Sequence, residues 1–68
     1  MHIVVSPLEL KTLRRNNKIR ITMVSSTIDF KVSETITLVN QMDQDDSEPV
    51  KIIDVDANVS RVILTVEK

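Results

Sequence analysis

The chain has 68 residues and a net charge of −1, with no Cys, Gly, Trp or Tyr and a single Phe. That length allows one domain, which hides only about 60% of its unfolded surface. The missing residue types exclude a disulfide staple, a thiolate zinc site and a glycine-rich phosphate loop, and leave only Phe30 to stack on a base.

Charge is divided unevenly. Residues 1–31 carry Lys11, Arg14, Arg15, Lys18, Arg20 and Lys31 against Glu9 and Asp29. Residues 32–68 carry Lys51, Arg61 and Lys68 against eight acidic side chains. The halves would form a basic and an acidic face unless their strands interleave. Met1–Val5 has neither the basic start nor the apolar stretch of a signal peptide. No apolar run approaches the roughly 20 residues of a membrane span. The expectation is a cytoplasmic protein with no membrane partner.

Residues 2–5 form an apolar, β-branched run that predicts a short buried strand. Ser6-Pro7-Leu8-Glu9 then predicts a helix over 7–15. Ser6 caps, Pro7 suits the first helical position and Glu9 completes a capping box. Val5 and Leu10 stand where a hydrophobic staple closes. Leu10 and Leu13 share the face that packs on a sheet, with Leu8 near it. Arg14 and Arg15 complement the negative helix end, and Asn16 and Asn17 are helix stops. Without Gly, turns needing positive φ fall to Asn or Asp, so Asn16, Asn17, Asn40, Asp56 and Asn58 are the candidates.

Lys18–Val24 alternates, with Ile19, Ile21 and Met23 inward. Ser25–Thr27 breaks the strand. Residues 28–32 read as a short extended piece anchored by Phe30, and 35–40 as a strand. Gln41–Glu48 is polar and acidic and reads as an exposed loop. Residues 50–56 and 59–67 read as two strands of a hairpin joined at 56–58. The expected core is Phe30 with Ile19, Ile21, Ile36, Leu38, Ile63 and Val66. The fold expected is mainly β (α+β): a small barrel of five or six mostly antiparallel strands with one N-terminal helix.

The order of these elements resembles the ASCH domains of the PUA-like superfamily. The similar residues are Met1-His2 with its apolar strand, Pro7 opening a helix, a turn and Lys18, and an alternating strand. Asp29-Phe30-Lys31-Val32 leading into Ile36-Thr37-Leu38, and a closing Arg61–Val66, complete the pattern. The resemblance spans nearly the whole chain and implies a PUA-like β-barrel associated with RNA. Family members carry a turn Gly followed by Lys, Glu and Arg spaced G-x-K-x-x-E-x-R. With Asn17 at the Gly, the charged places fall on Ile19, Thr22 and Val24. Sliding by one residue recovers Lys18 but leaves Ile21 and Met23 for the Glu and Arg. The Val-Gly-Asp after the aromatic residue is Val32-Ser33-Glu34 here. The scaffold therefore carries over, and no catalytic residue does.

Chemistry-bearing residues are few. His2 is the only His and has no evident partner nucleophile. Asp43, Asp45, Asp46 and Glu48 are oxygen donors of the kind Ca²⁺ takes, but the Gly and length of an EF-hand loop are missing, and a solvated turn is the simpler reading. Asp54 and Asp56 share a strand face without a partner base. Asn58-Val59-Ser60 matches a glycosylation acceptor, relevant only on secretion. The strongest cluster is Arg14, Arg15, Asn17, Lys18 and Arg20, which run from a helix end through a turn into a strand. Arg and Asn there suit phosphates and base edges, or an acidic protein surface. The expectation is no enzyme and no cofactor. The expected role is a protein-binding or regulatory effector acting on a host or cognate protein, of the sort phage or plasmid genomes encode, with an RNA-binding module as the alternative.

Overall fold

The computed structural model describes residues 1–24 and 29–68. The elements run β1 (His2–Val5), α1 (Pro7–Asn16), β2 (Lys18–Val24), β3 (Thr35–Asn40), β4 (Asp43–Ala57) and β5 (Arg61–Glu67). The five strands make one sheet in the order β1-β3-β4-β5-β2. β1 lies parallel to β3, and the other three pairings are antiparallel. The sheet curls into a half-barrel with α1 in its hollow.

The helix forms for the reasons its sequence states. Ser6 is extended, and its Oγ accepts from the Glu9 N–H at 3.2 Å. Glu9 Oε1 accepts in return from the Ser6 N–H at 3.0 Å. The helix ends where Asn17 turns left-handed at φ 63° and donates to the Leu13 carbonyl at 2.6 Å. Ten residues alone would scarcely hold a helix in water, so burial supplies the rest. Leu10 and Leu13 are buried against the sheet, whereas Leu8 is exposed.

Alternate residues of each strand fill one continuous core: Val5 from β1, with Ile3 packed against it, Ile19 and Ile21 from β2, Ile36 and Leu38 from β3, Val50 and Ile52 from β4, and Val62, Leu64 and Val66 from β5. Phe30 joins them from the connection before β3. Ile63, expected inside, is half-buried on the outer face, opposite Thr22 and Asp56. Val62-Ile63-Leu64 is apolar throughout, so composition alone did not set its phase.

The acidic stretch departs furthest from expectation. Gln41–Glu48 is not a loop. Only Gln41 and Met42 turn, and residues from Asp43 on belong to β4, a strand of 15 residues. Its register slips beside Val39 and Asn40 and again between Ile52 and Asp54, so the strand bends twice as it serves first β3 and then β5. Pro49 fits inside it for a definite reason. Thr37, opposite Pro49, donates its N–H to Met1 of the β1 side. The pair is thus a non-hydrogen-bonded one, and the ring nitrogen of Pro49 faces away from β3.

Two smaller corrections concern connections. The β4–β5 turn is Asn58–Arg61, with the Asn58 side chain accepting from the N–H groups of Ser60 and Arg61. Val59, read as the start of a strand, is the exposed tip of that turn. Asp29–Lys31 belong to no strand, and the break expected at 25–27, with residue 28, lies outside the described residues. Ser33 follows in a turn closed by a Glu34 N–H to Lys31 carbonyl bond of 3.2 Å. Its φ of 79° matches the third residue of a type II turn, a place usually given to Gly.

Candidate binding surface

The five residues singled out in the sequence do not act together. Arg14 and Arg15 are neighbours on α1, but a helix turns about 100° per residue. Arg14 is directed to the flank of α1 over β4. There its Nη2 donates to Asp46 Oδ1 at 2.6 Å and its Nε to Glu48 Oε2 at 3.0 Å. Lys68 Nζ lies 3.7 Å from the other oxygen of Glu48. Asn40, buried at the β3–β4 turn, donates to Asp46 Oδ2 at 3.0 Å and accepts from the Met42 N–H at 2.8 Å. The guanidinium holds the Asp46 carboxyl below its ordinary range, with help from Asn40. The same bonds to Asp46 and Glu48 hold the Arg14 pKa above its ordinary value. The Arg14 and Asp46 side chains are a third or so exposed and Glu48 less, so solvent screens much of the attraction.

Polar composition, which predicts a loop over Gln41–Glu48, hides this network. The signal was present in the strand phase: Asp46 and Glu48 fall on the same face as Val50 and Ile52. The inner face of β4 simply changes from apolar to acidic where it leaves the core, and the helix end supplies the counter-charge.

Asn17 is the helix cap, and its carbonyl accepts from the Lys68 N–H at 2.9 Å. Arg15, Lys18 and Arg20 are exposed, and among the described residues none of them forms an ion pair within 4 Å. Lys18 and Arg20 project from the outer face of β2, opposite Glu67 and Thr65 of β5. Beside them an open groove of about 400 Å³ runs between α1 and β2, lined by Leu8, Glu9, Thr12, Lys18, Ile19 and Arg20.

The other candidates stand apart. His2 is exposed on β1, and Asp54 and Asp56 are exposed on the outer face opposite Thr65 and Ile63. Among the described residues no three His, Asp or Glu side chains converge as metal ligands, and no helix is long and apolar enough to cross a membrane.

No protein-family model matches the chain, and comparison with curated proteins and with solved structures gives no match either.

Proposed function

We propose that this protein is a small binding module that recognises another protein and performs no catalysis. The observation that carries this reading is the engagement of Arg14 by Asp46 and Glu48. It takes one of the four cations out of the basic turn on which an RNA site would depend. The cations left, Arg15, Lys18 and Arg20, could neutralise only a short run of phosphates. Meanwhile β1 and β2 are both sheet edges among the described residues, a form of surface that extended protein segments add to.

The scaffold is best read as PUA-like. Two non-glycine residues have positive φ among the described ones, Asn17 and Ser33. Both fall at places where the ASCH resemblance puts Gly. The backbone turns there as the motif would require, although the side chains have changed. This supports kinship of scaffold and carries no activity with it. The protein partner would be a host or cognate protein, in the manner of effectors that phage and plasmid genomes encode.

RNA binding through Arg15, Lys18 and Arg20 is the second reading, favoured by their freedom from ion pairs within the described residues. Capture of partners from the native host with and without nuclease separates the two. A nuclease-resistant protein partner is expected. Saturable binding of labelled single-stranded or hairpin RNA at low salt, lost on Arg15→Glu with Arg20→Glu, would replace the first reading by the second.

A further inference from the structure

Among the described residues β2 leaves one side unpaired along its length, its ladder partner there being β5. The direction of its free groups follows from the register. Lys68 donates its N–H to the Asn17 carbonyl, so positions 17 and 68 form a hydrogen-bonded pair. Alternation then turns the backbone N–H and C=O of Ile19, Ile21 and Met23 toward β5. Those of Lys18, Arg20, Thr22 and Val24 face the open edge.

The two sides of that edge differ in chemistry. On the outer side stand Lys18 and Arg20, neither held in an ion pair among the described residues. On the inner side the groove opens against α1; Lys18 and Arg20 border it too, but Leu8, 71% exposed, and Ile19 give it an apolar wall. Glu9 also lines it, but its Oε1 is committed to the Ser6 N–H and hydroxyl.

We propose that the β2 edge accepts an extended peptide segment of alternating acidic and apolar residues as a sixth strand. This rests on the protein-binding reading above and names the edge and the partner chemistry. An added strand presents successive side chains to opposite faces. Its acidic set meets Lys18 and Arg20 on the outer side, while its apolar set enters the groove beside Leu8 and Ile19. Its backbone bonds the free groups of Lys18, Arg20 and Thr22. A second copy of β2 is disfavoured, because it would bring the same cations together. RNA is disfavoured because the groove offers it an apolar wall and no aromatic side chain.

The test is an amide NMR titration of the full chain. The probes are a nine-residue Glu/Val alternating peptide, the same composition in blocks, a Lys/Val alternating peptide, and a single-stranded RNA of equal charge. The alternating acidic peptide is expected to shift the Lys18, Arg20 and Thr22 amides saturably and slow their hydrogen exchange. The blocked peptide should bind at least about tenfold more weakly. Lys18→Glu with Arg20→Glu should reverse the preference toward the Lys/Val peptide. Thr22→Pro removes a donor that faces the open edge, so it should abolish binding while leaving the fold's circular dichroism unchanged. Should Thr22→Pro fail to fold, the charge-reversal variant decides alone. Shifts confined to His2 and Val4 would overturn this assignment and leave a protein-binding role at the other edge. Shifts at β2 from RNA alone would overturn both readings. No response to any probe would overturn the edge assignment, and the capture experiment would then judge the role itself.

Discussion

Arg14 of α1 and Asp46 of β4 are joined by a 2.6 Å ion pair although 32 residues of chain separate them. The pair ties the end of the helix to the part of β4 that extends beyond the core. Its pH dependence has a definite sign. The Asp46 carboxyl titrates below its ordinary value of 3.8, chiefly because it accepts a bond from Arg14. Its contribution to stability is therefore present above pH 3.8 and is lost as the pH falls through the lowered value. Carboxyl NMR titration should place Asp46 below its ordinary value, and Arg14→Ala should move it upward. The bond from Asn40 would keep it from returning fully. An unchanged midpoint in Arg14→Ala would show that the pair does not persist in solution.

Ser33 holds a φ of 79° with a β-carbon that the left-handed region disfavours. Ser33→Gly should raise stability by roughly 0.5–1 kcal/mol, after allowance for the extra freedom Gly gives the unfolded chain. Ser33→Val should lower it, since β-branched residues fit positive φ worst. Urea unfolding of the three proteins checks the order. A destabilised glycine variant would place the turn's energy elsewhere.

Neighbouring β5 residues should behave very differently. Leu64 is fully buried and Ile63 is half-buried on the outer face. Leu64→Ala should cost on the order of 2–5 kcal/mol, enough to unfold a domain of this size. Ile63→Ala should cost roughly 1 kcal/mol or less. Equal losses would mean that the strand phase is wrong.

The cap at Ser6 is a fourth handle on stability. Ser6→Ala removes the acceptor for the Glu9 N–H and frees the Glu9 carboxylate from the Ser6 hydroxyl. A loss of roughly 0.5–2 kcal/mol is expected by chemical denaturation. Ser6→Thr should recover most of it. If alanine were as stable as serine, the box would be ornamental in this fold.

Local signals were legible in the sequence, and long-range ones were not. Ser6, Pro7 and Glu9 specify the helix start through bonds within three residues, so their spacing was sufficient. Ile19 and Ile21 alternate cleanly with Lys18, Arg20 and Thr22, so β2 and its faces could be read directly. The acidic half of β4 could not, because its strand form depends on pairing with β3 and on a counter-charge from α1. Polar composition argued for a loop, and tertiary pairing prevailed. The same reason explains the basic cluster. Sequence adjacency grouped Arg14 with Arg15, whereas the helix turn sent them to different surroundings. Ser33 by its own residue type gave no sign of its φ, since Ser rarely occupies that region; the one hint was the resemblance, which puts a Gly at that place.

Pairing of β2 with β5 joins early and late parts of the chain, with Lys18 opposite Glu67 and Val24 opposite Arg61. The β3–β4–β5 meander needs only short connections, while the β2 ladder must close a loop across nearly all that lies between. Closing a long loop costs entropy before its contacts return anything, so distant pairings slow a folding reaction. The meander should therefore be ordered at the barrier, with β2 docking after it. Alanine at Leu38 or Leu64 should retard folding in stopped-flow experiments, whereas alanine at Ile19 or Ile21 should mostly hasten unfolding. The strand proposed to receive a partner would then be the last to join the sheet and the first to leave it.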